Sequence, residues 1–400
     1  HMQHRRSHML LAAAVASALV LAACSSDETT ETTSGATTPA ETTPGETTPA
    51  ATGLAGICPE TIVLQTDWMP EAEHGFLYNL VGDGYEMDAD KAYVTGPLVA
   101  AGVDTGVKIQ IRSGGLPQQF TPVTQIMYND TDVFGGFVYT DEAIQFSGSD
   151  TPTVAVMSGF EKNPQMIMWD PNTYPDVNGI ADLGTKGVTV RYFGGAAYMD
   201  YLTGSGILSK DQVDGSYTGD PALFIADEGA SAQQGFGSAE PYLYETELTD
   251  WGKKVAYEYI NDIGWKNYAQ SIAVRPDTIT DHADCLKALV PMIQQSAVDY
   301  LTDPSHANQV ILDATASFGE AFGWVYTEGA AQYGVDTIKA DGLQANDPAS
   351  GVMGQFDMER VQSLIDIAVD IYKAQGATPK DGLTPEDIVT NEFIDPSIHL

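Results

Sequence analysis

Residues 61–78 read TIVLQTDWMPEAEHGFLY. Thr61-Ile62-Val63-Leu64-Gln65 is a short apolar run of the kind that forms a buried strand. Residues 72–81 have helical spacing. Trp68, Glu71 and His74 stand between the two, where a strand ends and a helix begins. In open α/β sheets ligands bind beyond the carboxyl ends of the strands. An aromatic ring there can stack on a flat ligand, and an imidazole can donate or accept a hydrogen bond. Spacing alone equally allows Trp68 to pack beneath the loop and His74 to cap it locally.

The same alternation continues outward. Strands are expected at 107–111, 132–139 and 153–157, with a helix over 117–128. Another helix begins at Thr140, its expected N-cap, with Asp141 and Glu142 in the first turn. The pattern restarts with strands at 165–169, 187–192, 254–259 and 271–274, and Gly194-Gly195-Ala196-Ala197-Tyr198 opens a helix toward Leu202. Beyond Asp281 the chain reads as mostly helical. Leu286, Leu289, Val290, Ile293 and Ala297 share a face that Pro291 should kink, and residues 357–374 keep a single buried stripe up to the stop at Gly376. The expectation is an α/β fold with a largely parallel sheet.

The N-terminus carries an address. Arg5 and Arg6 precede an apolar run that ends Leu21-Ala22-Ala23-Cys24, directly before Ser25-Ser26-Asp27. A run this short falls below the roughly 20 residues of a spanning helix. It reads as a secretory signal over residues 1–23 with lipid attached at Cys24. The alternative is a short anchor that is never cleaved. Residues 24–56, dominated by Thr, Ser, Pro, Glu, Ala and Gly, lack apolar periodicity and form an expected disordered tether. The globular part would then sit outside the cell, lipid-anchored to the outer face of a bacterial membrane.

The formal charge is −37; without Arg5 and Arg6, 16 basic and 55 acidic residues remain, giving −39. So acidic a surface excludes nucleic-acid binding. With Cys24 taken by lipid, Cys58 and Cys285 are left, and outside the cell such a pair is expected to form a disulfide. Two buried free thiols are the alternative. The pairing would place both ends of the globular region in one lobe, residues 57–153 and 273–400. Residues 154–272 would form a second lobe inserted between them, with a cleft where the chain crosses.

No catalytic signature is present: no G-x-x-x-x-G-K-[ST], G-x-S-x-G, H-E-x-x-H or C-x-x-C occurs. The segment DPNTYPDVNG (170–179) lacks the spacing and terminal Glu of a calcium loop. The histidines have no metal-ligand spacing. Neither a metal nor a cofactor is expected. Four strand-to-helix turns are the candidate ligand elements: the Trp68 turn, the turn at Tyr139 and Thr140, the Gly194–Tyr198 segment, and Gly237-Ser238-Ala239-Glu240-Pro241-Tyr242. Small residues at Gly194, Gly195 and Ala196 expose backbone N–H groups, or alternatively let a helix pack closely on a strand. Singly each turn is more often structural; together they point to one interlobe cleft.

The signal, tether and two α/β lobes resemble the solute-binding lipoproteins of bacterial ABC importers. LQTDWMPEAEHGFLY (64–78) resembles the D-W-x-P-x-x-x-H-x-G-x-Y element of the thiamine-precursor-binding family, which is related to the sulfonate-, taurine- and nitrate-binding proteins and to the yeast pyrimidine synthase. DVFG (132–135), YTDE (139–142), VTV (188–190) before Gly194-Gly195, and VTNEFID (389–395) also match. The resemblance implies a two-lobed periplasmic-binding-protein fold. It implies that Trp68 stacks on a heteroaromatic or otherwise planar ligand and that His74 contacts it or holds the loop. Tyr139 and Thr140 would line one side, and Gly194, Gly195, Ala196, with Tyr198, the other; Glu240 completes the candidate set. Where the family has an Asn-rich stretch after the proline, this chain has Glu71-Ala72-Glu73. Two carboxylates near the mouth would favour a ligand with donor groups or positive charge over nitrate or a sulfonate; solvated charges in a helix's first turn are the alternative. The implied role is a monomeric binding protein, not an enzyme, that delivers a small molecule to an ABC permease and its ATPase. Sulfonate, nitrate, riboflavin and amine are alternative ligands. A pyrimidine-synthase-like enzyme and an adhesion or sensor lipoprotein are the readings of another class.

Overall fold

The computed structural model describes residues 53–400. The expected signal peptide, Cys24 and the tether up to residue 52 lie outside the described residues. The strands are β1 (Thr61–Gln65), β2 (Glu86–Asp88), β3 (Tyr93–Ala100), β4 (Val103–Arg112), β5 (Val133–Val138), β6 (Val154–Met157), β7 (Gln165–Trp169), β8 (Val190–Arg191), β9 (Val213–Asp214), β10 (Ala232–Phe236), β11 (Ala256–Tyr259) and β12 (Ser271–Val274). The helices are α1 (Gly75–Tyr78), α2 (Val123–Asn129), α3 (Thr140–Phe146), α4 (Ile180–Lys186), α5 (Ala197–Gly204), α6 (Ala222–Ala226), α7 (Glu240–Tyr242), α8 (Pro276–Asp281), α9 (Ala283–Thr302), α10 (Ser305–Phe322), α11 (Glu328–Ala340) and α12 (Met358–Ala374).

The strands form two sheets, one per lobe. The larger is ordered β2-β3-β4-β1-β5-β12-β6 and the smaller β11-β7-β10-β8-β9. β1 pairs in parallel with β4 and β5, whereas β12 runs antiparallel to both β5 and β6. The larger sheet is therefore mixed rather than largely parallel, as the smaller one also is. Its centre is dry: every residue of β5 is buried, as are the last four of β1. Two glycines make that closeness feasible. A Cβ on Gly135 would stand 2.8 Å from the Ala273 carbonyl oxygen, and one on Gly136 2.6 Å from that of Gln65.

The chain leaves the larger sheet after β6 and returns to it at β12. The expected second lobe, residues 154–272, begins with β6, yet β6 pairs with β12 in the larger sheet, so residues 154–157 belong to that sheet. Some expected elements take other forms. Residues 72–81 begin as a 3-10 turn, Ala72–His74, followed by the single turn of α1. Residues 117–128 divide into a 3-10 turn, Leu116–Gln118, and α2. The N-cap of α3 is Tyr139, and Thr140 is its first helical residue. The β3–β4 hairpin turns through Ala101 and Gly102 at positive φ, 49° and 75°, an arrangement suited to a tight hairpin.

The long helices cover the larger sheet. α9 continues through Pro291 and buries Leu286, Leu289, Val290, Ile293 and Ala297. α12 starts at Asp357, whose carboxylate accepts the N–H groups of Glu359 and Arg360, and buries Val361, Leu364, Ile365, Ala368 and Tyr372. It packs against both α3 and α5, so one helix touches both lobes.

Cys58 and Cys285 are joined in a disulfide that spans 227 residues of sequence and ties the chain ahead of β1 to α9. In the chain-entropy account, closing so long a loop stabilises by roughly 4–5 kcal/mol. Replacing both cysteines by alanine should therefore lower the unfolding free energy by about 2–5 kcal/mol. Denaturant titration under oxidising conditions would read this directly; an unchanged midpoint would show that the bond contributes nothing.

Candidate ligand cleft

The turn after β1 is held from several sides before any ligand arrives. Thr66 Oγ1 donates to the Trp68 carbonyl at 2.8 Å, and the Gly114 N–H reaches the same oxygen at 3.0 Å. From the far end of the sequence, the Trp324 indole N–H donates to the Pro70 carbonyl at 2.9 Å and the Tyr326 hydroxyl accepts the Ala72 N–H at 2.9 Å. Gly115, at φ 69°, passes so close that a Cβ there would lie 3.0 Å from the Trp68 ring. A side chain at 115 would both strain the backbone and push the indole.

Trp68 opens onto a cleft of about 530 Å3 between the lobes, within the size range of small-molecule pockets. Phe120 stands 5.8 Å from the indole centroid, Phe193 6.4 Å and Trp324 6.3 Å, all inclined rather than parallel to it. Phe120 and Trp68 come from the larger-sheet lobe and Phe193 from the smaller, immediately after β8. Asp67, Tyr139, Asp141, Glu142, Gly195, Ala196, Tyr198 and Asn267 also face the space.

Asp67 is the most constrained polar group of the cleft. Tyr139 donates its hydroxyl to Oδ2 at 3.0 Å, and Gln270 Nε2 lies 3.3 Å from each oxygen. His74 Nε2 is 3.2 Å from Oδ1 and 3.8 Å from Glu71 Oε1. The imidazole is fully buried, so it positions Asp67 from behind. Burial and the adjacent Asp67 carboxylate hold the Tyr139 phenol well above its ordinary range, which keeps it a donor.

Asp141 accepts from Asn267 Nδ2 at 2.8 Å and from the Trp265 indole N–H at 3.3 Å. Burial raises its carboxyl above the usual range, against the pull of those two donors. Glu142 is pushed up to about 7 by burial, although the Thr124 hydroxyl and N–H both donate to it.

Three of the four expected turns meet on this cleft. Trp68, Tyr139, Gly195, Ala196 and Tyr198 face it. Tyr198 donates its hydroxyl to Gln234 at 2.6 Å, and the same oxygen accepts the Phe193 N–H. Thr140 lies behind the wall, where its hydroxyl accepts the Tyr268 N–H at 2.9 Å. Gly194 packs against Gly215, whose carbonyl a Cβ would approach to 2.9 Å. Glu240 is turned inward and accepts the Phe236 N–H at 2.6 Å.

Glu71 and Glu73 stand beneath the cleft and not at its mouth. Both are buried, because the short 3-10 turn and α1 are covered by Tyr300 and Tyr326 instead of facing water. Glu73 accepts a short hydrogen bond from Ser238 across the lobes. Burial, then the neighbouring charges of Glu73, Asp67 and Glu240, raise the Glu71 carboxyl well above the ordinary range. Burial also raises Glu73, and it pushes Glu240 up to about 7. Asp141 and Glu142 face the cleft from the expected turn at Tyr139, whereas Phe120, Phe193 and Asn267 are among the cleft-facing residues that local pattern did not mark, and Asp67 was not singled out. The D-W-x-P element contains Asp67 next to the tryptophan, and that adjacency was the available signal.

The two-sheet α/β architecture, with a cleft between the lobes, is the periplasmic-binding-protein fold. Among solved structures it is similar to the ligand-binding component of an ABC-type import system from Staphylococcus aureus with zinc bound. The TM-score is 0.52 at 11% identity, covering 84% of this chain and 99% of that one. It is likewise similar to a putative periplasmic sulfonate-binding protein of a sulfonate ABC transporter from Methylobacillus flagellatus KT, with a TM-score of 0.50, 12% identity, and 83% and 92% covered. No curated protein sequence matches. Residues 103–307 match the profile of the NMT1/THI5 like family, and the chain belongs to that family.

The buried carboxylates make stability sensitive to pH. A carboxyl raised above its unfolded value is favourable as the acid, and stability is lost as pH climbs through the raised pKa. Glu71→Gln removes this loss. Relative to the parent, the variant should gain melting temperature progressively from about pH 5 to pH 8. A difference that stays constant across that range would show that Glu71 carries no such linkage.

Proposed function

We propose that the chain is the extracytoplasmic solute-binding protein of an ABC importer. It captures a small planar, heteroaromatic molecule of the thiamine-precursor kind between its lobes and delivers it to the permease. The aromatic surround of Trp68, built from both lobes, is the observation that carries this reading. A flat ring fits such a surround, in which Phe193 of one lobe already stands 6.4 Å from Trp68 of the other. Asp67, Tyr139 and Asn267 offer the few directed polar contacts that orient a ligand in an apolar site.

Among the described residues, no Lys, Arg or His faces the cleft. Nitrate or a sulfonate would meet carboxylates with no countercharge, which argues against those two alternatives. A pyrimidine-synthase-like chemistry needs a lysine at the ligand, and none faces this space among the described residues. Lipid at Cys24 is part of the proposal: it would keep the protein beside its permease while the tether allows movement.

Two measurements test the reading. Thermal-shift and calorimetric titration against thiamine precursors, riboflavin, sulfonates, nitrate and amines should find a binder, and Trp68→Ala should weaken it roughly tenfold or more. Cys24→Ser should move the protein from the membrane fraction to the soluble extracytoplasmic fraction. An absence of any binder across the panel would sink the solute-binding reading, and a Cys24→Ser chain still in the membrane fraction would sink the lipid anchor.

A further inference from the structure

We propose that the cleft selects a positively charged planar ligand and that Asp67 is the residue that reads its charge. The inference rests on the solute-binding reading and narrows it to one ligand class.

Among the described residues, the ionisable acids Asp67, Asp141 and Glu142 face the cleft and no basic side chain does. Asp141 and Glu142 are already engaged by Asn267, Trp265 and Thr124. Asp67 is engaged differently. It stands beside Trp68 with about a fifth of its side chain still exposed, 19%. Tyr139 and Gln270 are neutral donors, and His74 is shared between Asp67 and Glu71. These contacts fix the direction of the carboxylate without supplying a dedicated countercharge. A preset, partly exposed carboxylate against an indole matches a cation that also has a flat face.

The aromatic groups act in the same sense. The faces of Trp68, Phe120 and Phe193 carry negative quadrupoles and attract a cation within about 6 Å of a ring centroid. Phe120 remains half exposed at 52%, which leaves its face available. A neutral ring would stack equally well, but closing the lobes on it would take the Asp67 carboxylate further from water with no compensating charge. A cation removes that penalty, and an anion compounds it. The strongly acidic surface also concentrates cations near the entrance.

The test uses isosteric probes on the purified protein in two ring families. The first is 1-methylnicotinamide, nicotinamide and nicotinate, which carry positive, zero and negative charge on one ring. The second is thiamine against its neutral hydroxymethyl-aminopyrimidine half. In at least one family the cation should bind at least about tenfold tighter than its neutral partner, and nicotinate should not bind. Asp67→Asn, which keeps shape, should erase that preference; Asp67→Glu should retain part of it; Trp68→Ala should weaken cation and neutral probe alike. Neutral probes that bind as tightly as their cations in both families, or an Asp67→Asn variant with an unchanged ratio, overturn the charge selection and leave the binding-protein reading standing. Failure of every probe in both families overturns the charge selection, and the solute-binding reading then rests on the wider ligand panel.

Discussion

Two hydrogen bonds from the C-terminal part of the chain, Trp324 to the Pro70 carbonyl and Ala72 to the Tyr326 hydroxyl, decide where the turn after β1 lies. That turn carries Asp67 and Trp68 on one side and Glu71, Glu73 and His74 on the other. Had it been left to local preference, the run from Ala72 would have extended as an amphipathic helix with its carboxylates in water. Pinned as a 3-10 turn, it sends Trp68 outward into the cleft and its acids inward. The cost is a buried acidic layer, relieved in part by Ser238 and His74. The benefit is a rigid mount for Asp67 and the indole.

The same constraint explains which parts were readable from the amino-acid order. β1, β7 and β12 were expected over the residues they occupy, because fully buried strands appear as uninterrupted apolar runs. β3 was not marked: YVTGPLVA alternates buried and partly buried positions and contains Gly and Pro, and its pairing depends on a turn at Ala101 and Gly102. The stripe of α12 was plain and its Asp357 cap sits one residue ahead of it. The parallel sheet was over-read, since direction of pairing is a property of the path between strands and leaves no mark within them.

For the cleft, Trp68, Tyr139, Gly195, Ala196 and Tyr198 were legible because they sit at strand ends, where the architecture places ligands. Phe120 was not, because it lies in an irregular loop at φ 57° with Gln119 at 52°. Asn267 and Gln270 were not, because they reach Asp141 and Asp67 from more than a hundred residues away. Glu71, Glu73 and Glu240 were read as charges facing a ligand or water. The burial of Glu71 and Glu73 comes from Tyr300, Tyr326 and the opposite lobe, and Glu240 turns back to the Phe236 N–H, none of which leaves a trace in the local sequence.

The position of β12 between β5 and β6 has a consequence for how the molecule is made. A chain delivered N-terminus first presents β1 to β6 long before β12, with the whole of the smaller sheet emerging in between. Until residue 274 arrives, β5 and β6 each lack the strand that pairs with both of them. Such edges are templates for wrong partners. The larger lobe is therefore last to be completed although its strands come first, and Cys285, just past β12, can close its bond to Cys58 only at that same late stage. Vectorial delivery and the final covalent lock thus converge on one moment in the chain's emergence.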